Sequence, residues 1–187
     1  MTEGLLTIDG SQGEGGGQVL RSSLALSLVT SRPFTIEKIR AGRKKPVLLQ
    51  KHLTAVLAAA KVGSAEVDGA ALGSRRLAFG PGPVQSGHYA FRGGTIGSAT
   101  LVLQTVLPVL LLAEGESNLV LEGGTHNPMA RPVDFLKKAY LPLVDRLEPR
   151  IEVQLVRPGF YPTGGGNFTV SVRPAKQIGR VELLDRG

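Results

Sequence analysis

Residues 5–30 read LLTIDGSQGEGGGQVLRSSLALSLVT. A short β-type run, 5–9, enters a loop over 10–17 that holds Gly10, Gly13, Gly15, Gly16 and Gly17. The loop then enters a run over 18–30 whose apolar residues Val19, Leu20, Leu24, Leu26 and Leu28 predict a largely buried helix. This strand, glycine turn and helix decide the fold, because the pattern returns. Gly15 and Gly97 lie 82 positions apart, and so do Gly42 and Gly124, Pro46 and Pro128, and Phe79 and Tyr161.

Working outward, a strand over 34–39 follows Pro33, then a basic loop over 40–46 and an Ala- and Leu-rich helix over 47–62. β segments are predicted over 65–67, 76–79 and 89–91. The order then restarts: a glycine turn over 93–97, a buried helix within 96–113, a strand over 118–122 and a loop over 123–131. An amphipathic helix over 132–147 follows, with Pro132 suited to its first turn. β segments over 151–156, 168–172 and 180–184 close the chain. The expectation is an α/β fold of two β-α-β-α-β-β repeats, 1–83 and 84–187. The copies differ in charge. Glu14, Arg21, Arg40, Arg43 and His52 of the first stand where the second has Ile96, Leu103, Glu122, Thr125 and Asp134, so the first copy is expected to carry more of the polar site.

Composition narrows the function. The chain has 187 residues, 22 Lys and Arg against 15 Asp and Glu, a net charge of +7, and 25 Gly. The absence of Cys excludes a disulfide scaffold, thiolate metal sites and a Cys nucleophile, and fits a reducing, cytoplasmic setting. The first 17 residues lack the charged and apolar regions of a signal peptide. The apolar stretch 96–113 is broken by Ser98, Thr100, Gln104, Thr105 and Pro108, so it reads as a buried helix and no membrane partner is expected. The basic excess favours a polyanion, and Arg40, Arg43, Lys44, Lys45, Lys51 and His52 concentrate it. Three Tyr and six Phe are too few for a base-stacking platform, so nucleic acid is expected to be held by phosphate and sugar.

Three features carry candidate chemistry. The run Gly13-Glu14-Gly15-Gly16-Gly17-Gln18 before a helix matches neither common nucleotide fingerprint. Glycines allow close backbone approach and the helix start offers free N–H groups to an anion. Glu14 within such a loop repels phosphate unless a divalent cation joins them, and Arg21 lies one turn into the helix. The basic loop Arg40-Ala-Gly-Arg43-Lys44-Lys45-Pro46 offers guanidinium forks to phosphate or, equally, a solvated surface. Gln104 is an amide on an apolar helix, expected buried, which a backbone bond or a ligand satisfies. His52, His88 and His126 are dispersed and make no His-based metal motif. The run 160–166, FYPTGGG, reads as a strand-linking turn ahead of the other reading, a second ligand loop.

Seven motifs in order over nearly the whole chain closely resemble the RNA 3′-terminal phosphate cyclases. They are residues 9–18 with Leu20-Arg21-Ser22, Ile39-Arg40-Ala41-Gly42-Arg43, His52-Leu53-Thr54, Thr100 to Thr105, Gly123-Gly124-Thr125, Gly159-Phe160-Tyr161-Pro162 and Gly164-Gly165-Gly166. The resemblance implies a ligase-type, AMP-forming enzyme. Such an enzyme uses ATP and a divalent metal, Mg or Mn, to convert an RNA 3′-phosphate to a 2′,3′-cyclic phosphate through enzyme-AMP and RNA-adenylate intermediates. It implies Glu14 at the metal and nucleotide, Gln104 and Arg40 at the nucleotide, and Arg21, Arg43 and His52 at RNA phosphate. The implied architecture is a set of β-α-β-α-β-β repeats like that of enolpyruvyl-shikimate-phosphate synthase, with a smaller domain inserted. The resemblance also implies a third repeat, beyond Gly187, carrying the histidine that takes AMP. No nucleophile is therefore assigned here, and the chain alone is expected to be inactive. Arg131 stands where the family often has Pro, and Lys51 where it often has Gln. Two alternatives remain: a non-catalytic cyclase-like RNA-binding protein of ribosome assembly, or a phosphosugar transferase on the same architecture. The oligomeric state is open, a homodimer included.

Overall fold

The computed structural model describes residues 5–92, 97–128, 130–177, 179–182 and 184. The chain runs β1 (Leu6–Asp9), α1 (Gly17–Thr30), β2 (Phe34–Glu37), α2 (Gln50–Val62), β3 (Glu66–Asp68) and β4 (Leu77–Gly80). It continues with β5 (His88–Phe91), α3 (Ala99–Leu110) and β6 (Ser117–Gly123). Next come α4 (Val133–Phe135), a π-helical turn (Leu136–Tyr140), α5 (Leu141–Val144), a 3-10 turn (Asp145–Leu147), β7 (Arg150–Arg157) and β8 (Gly166–Arg173).

Two four-stranded sheets result, ordered β1-β2-β4-β3 and β5-β6-β8-β7. Within each, the first two strands are parallel and the last two antiparallel to their neighbours. A parallel pair needs a crossover, and α1 and α3 supply it. The fold is thus mixed α/β with one topology used twice. α1 turns Leu20, Leu24 and Leu28 inward at four-residue spacing. α3 is apolar nearly all round and is buried accordingly. α1, α2 and α3 pack on one another, α1 also on β2 and β4, and α3 on β6. One core therefore spans both sheets, with Phe34, Phe79 and Phe168 sealed inside. Among the described residues no helix is long and apolar enough to cross a membrane.

Three expectations need correction. The helix over 132–147 is broken into α, π, α and 3-10 pieces. The described part of 180–184 is not strand, because β7 and β8 already complete the second sheet. Tyr161 is not the strand counterpart of Phe79: it lies exposed in the turn before β8, whereas Phe79 is in the core. The starts of β4 and β8, Leu77 and Gly166, are 89 positions apart, so the spacing of 82 holds through the helices and fails in the longer second hairpin. Residues 93–96 of the second glycine turn, Ile96 among them, lie outside the described residues.

Candidate functional site

The glycine loop is anchored where it leaves β1. Asp9 accepts hydrogen bonds from Ser11 N at 2.9 Å, Ser11 Oγ at 2.6 Å and Lys38 Nζ at 2.9 Å. The two Ser11 bonds, then Lys38, hold its carboxyl down at about 2. Across from it, β2 ends in two left-handed residues, Lys38 at φ 53° and Arg40 at φ 59°. Such conformations cost about 1 kcal/mol each in a non-glycine residue and need outside support. Lys38 has Asp9. Arg40, buried, donates from Nη1 to the carbonyls of Lys45 at 2.5 Å and Val47 at 3.0 Å. Arg40 is therefore first the brace of the basic loop.

This brace brings the basic loop against the start of α1. A Cβ on Gly15 would come within 2.6 Å of Gly42 N, and one on Gly16 within 2.8 Å of Arg43 Nη2. One on Gly17 would come within 2.6 Å of His52 Nε2 and 3.1 Å of Arg21 Nη1. The glycines are what let Arg21, Arg43 and His52 close over the helix N-terminus, where free N–H groups and the helix dipole favour an anion. Lys51 joins them. Burial, then Arg40, Arg21 and Arg43, lowers its ammonium pKa. Burial first, and then Arg40, Lys51 and Arg21, pushes the His52 imidazolium down to about 3, so the ring is neutral near pH 7. Two buried nitrogens in this group have no partner among the described residues: Arg21 Nε and His52 Nδ1. Arg21's own pKa is lowered by burial. Its Nη2 donates to Gln18 Oε1 at 2.7 Å. The carboxylate answering these cations is Glu14, paired with Arg43 Nη2 at 2.7 Å and 87% exposed.

Beside this pocket a cavity of about 700 Å³ opens between α1, α3 and the broken helix that starts at α4. Arg21 and Gln18 belong to both. Leu101, Leu103 and Leu107 give the cavity an apolar floor, and Gln104, Phe135 and Tyr140 complete its walls. Arg131 also lines it, its guanidinium 5.4 Å over the Phe135 ring. Apolar walls with a few polar groups suit a small organic ligand. Gln104 is exposed rather than buried, so its amide is available to that ligand instead of awaiting a backbone partner.

The structure thus gathers Arg21, Arg43, His52 and Glu14 around the α1 N-terminus, sets Arg40 behind them, and puts Gln104 across the cavity. The cavity residues Phe135 and Tyr140 carry no motif signal, and Lys51 enters the sequence reading only through the basic cluster and its place before His52, without a site role. Lys51 had a signal, because it precedes His52 on the helix start facing the loop. Among the described residues no three His, Asp or Glu side chains converge on a metal position. Glu14 alone is not a cage; one such oxygen suits a hard divalent ion only in company with substrate phosphates.

Where the second turn meets α3, a matching glycine pair holds different contents. Gly124 N donates to Gly97 O at 3.0 Å, as Gly42 N does to Gly15 O at 3.1 Å. Here, however, Gly124 O takes the Ala99 N–H of α3 at 3.0 Å. Ser98 and Thr100 share a 2.6 Å hydrogen bond, and Thr100 Oγ1 donates to Arg131 O at 2.8 Å. Asn127 Nδ2 donates to Gly97 O at 2.6 Å.

A model of the family described as RNA 3′-terminal phosphate cyclase matches residues 12–183. The chain is similar to the RNA 3′-terminal phosphate cyclase of Koribacter versatilis (strain Ellin345), 57% identical over 98% of this chain and 52% of that protein. It is similar also to the one of Ralstonia nicotianae (strain ATCC BAA-1114 / GMI1000), 54% identical over 97% of this chain and 53% of that protein. The chain spans about half the length of the curated relatives it matches.

Proposed function

The chain belongs to the RNA 3′-terminal phosphate cyclase family, and on that premise we propose that its basic pocket receives the 3′-phosphate of an RNA and the adjoining cavity the base of ATP. The reaction assigned is conversion of the RNA 3′-phosphate to a 2′,3′-cyclic phosphate with release of AMP and pyrophosphate. The observation that carries this reading is the pair of buried nitrogens without a partner among the described residues, Arg21 Nε and His52 Nδ1, at a helix start where Arg21, Arg43 and Lys51 gather and Glu14 pairs with Arg43. A buried polar group without a partner costs about 1–3 kcal/mol, and an anion that supplies one recovers it.

In this reading Arg21 and Arg43 grip the phosphate with charge-assisted hydrogen bonds, Lys51 adds positive potential, and neutral His52 donates or accepts without competing for charge. Arg40 acts on the nucleotide through the loop it braces. Gln104 meets the base at the cavity wall. ATP supplies the adenylyl group that activates the phosphate. Glu14, with substrate phosphates, would hold the divalent ion. Residues 1–83 and 84–187 are two copies of one unit, and the nucleophilic histidine belongs to a third. ATP and RNA ends meet in the cytoplasm, the compartment this reading assigns.

The test is binding of single-stranded oligoribonucleotides with a 3′-phosphate or a 3′-hydroxyl, followed by incubation with radiolabelled ATP. The phosphate end should bind about 10-fold more tightly or better, and Arg43→Ala should erase most of the difference. The chain alone should take up no acid-labile AMP. Equal binding of both ends would overturn the pocket. Phosphate-dependent binding with no affinity for ATP would favour an RNA-binding relative of the cyclases.

A further inference from the structure

The turn 158–165 carries two exposed aromatics that the phosphate pocket does not use. Phe160 is 59% exposed and Tyr161 more so, in a chain whose other phenylalanines are mostly buried. Phe160 is not loose. Its backbone bridges His126 in parallel and Gly164 across the turn. Thr125 N and His126 N both donate to Gly159 O, at 2.9 and 3.0 Å, and Gly159 N donates to the Thr125 hydroxyl at 2.9 Å. A Cβ on Gly159 would come within 2.2 Å of Gly166 N, so the two ends of the turn are in direct backbone contact.

One face of the Phe160 ring lies on the His126 imidazole, with centroids 5.0 Å apart and planes 27° from parallel. That imidazole is held at both nitrogens. Nε2 donates to Asp134 at 2.9 Å, which holds the Asp134 carboxyl below its usual range, and Nδ1 meets the Thr125 hydroxyl at 2.8 Å. Phe160 is thus an aromatic plate fixed from behind and open in front. A run of contacts links it to the basic pocket. Asn127, the next residue after His126, donates to Gly97 O, and a Cβ on Gly97 would come within 3.0 Å of the Lys51 stem.

We propose that Phe160, backed by His126, is the stacking surface for a base of the single-stranded RNA that the basic pocket holds by its phosphate. The proposal rests on the reading of that pocket. The occupant follows from the chemistry: a flat, rigid, apolar plate beside a cationic pocket matches a base and its phosphate on one strand, and stacking tolerates any base. Preorganisation by Thr125, His126 and Asp134 means little ordering cost on binding. The scarcity of aromatics noted in the sequence therefore excludes an extended platform, not a single plate.

The test uses the 187-residue chain and a 3′-phosphorylated oligoribonucleotide, intact or with its terminal bases removed one at a time. One abasic position should weaken binding about 5- to 150-fold. Phe160→Ala and Phe160→Leu should bind the intact oligonucleotide as weakly as that abasic one, with the preference for 3′-phosphate over 3′-hydroxyl unchanged. Phe160→Trp should restore affinity. Because the chain has no Trp, its emission reports on this site alone, quenched by intact RNA and not by the abasic strand. Equal binding of intact and abasic RNA, or emission indifferent to RNA, overturns the plate while the phosphate preference keeps the pocket. A base effect without a phosphate effect keeps the plate and removes the pocket. Emission that shifts with protein concentration alone assigns this face to protein contact and overturns the proposal.

Discussion

The starts of α1 and α3 sit beside matching glycine-to-glycine hydrogen bonds and hold opposite contents. At α3 neutral groups fill the turn: Gly124 O takes the Ala99 N–H, Ser98 and Thr100 share a hydrogen bond, and Asn127 Nδ2 donates to Gly97 O, with the neutral Asn127 Oδ1 left buried and unpartnered among the described residues. At α1 the position of Ser98 is Gly16, that of Thr125 is Arg43, and that of Leu103 is Arg21. There, cations gather and two nitrogens wait for a partner. The difference teaches that this backbone is not itself the anion site. The site exists because two glycines leave room for two guanidiniums and an imidazole, and because Arg21 Nε and His52 Nδ1 find no partner among the described residues.

Moving residues between the two turns should break that contrast. Gly17→Ala, the residue of the α3 turn, should have the largest effect, because its Cβ meets the buried His52 ring. Affinity for 3′-phosphorylated RNA should fall at least about 100-fold, with about 1–3 kcal/mol lost from stability by overpacking, read by titration and urea melts. Arg21→Leu, the residue of α3, should also cut affinity by 10-fold or more while the ligand-free chain gains about 1 kcal/mol, since a half-buried cation whose Nε is buried without a partner among the described residues is removed. A loss of stability there would mean that Arg21 is already satisfied by Gln18. Gly16→Ser meets only the far end of Arg43, which can swing aside, so about 10-fold in affinity and less than about 0.5 kcal/mol in stability are expected.

His52 sharpens the contrast through pH. Its pKa is near 3 in the folded chain against 6.5 ordinarily. The unfolded chain therefore binds a proton between those values that the folded chain refuses. The stability due to neutral His52 is full above about pH 6.5 and is lost as pH falls toward 3. His52→Asn should flatten that part of the profile in urea melts at pH 7 and 4.5; an unchanged profile would mean the ring is not shielded. Glu14→Gln should be the mildest change, moving stability by less than about 0.5 kcal/mol because the Arg43 pair is exposed.

Much of this was readable in the sequence, for reasons that also mark where reading stops. Gly15 with Gly97 and Gly42 with Gly124 are tied to hydrogen bonds the fold needs twice, so their spacing survived. Phe79 and Tyr161 shared the spacing by accident, because the longer β7–β8 hairpin shifted the register after the helices ended. Gln104 was legible as an odd residue on an apolar helix, but not as exposed, since only packing shows that a cavity opens beside it. Arg40 looked like a ligand residue, and its left-handed φ and carbonyl bonds are invisible in a string of letters. Phe160 is legible as part of a turn motif, but a count of aromatics does not show that its ring is left uncovered.

Gly97 ties the two turns together. It belongs to the uncharged turn, yet a Cβ there would lie 3.0 Å from the Lys51 side chain, tighter than an ordinary contact. The turn without charge is thus a wall of the charged pocket: a larger residue at 97 should shift Lys51 and disturb the pocket from outside it, and shortening the Lys51 stem should relieve that crowding.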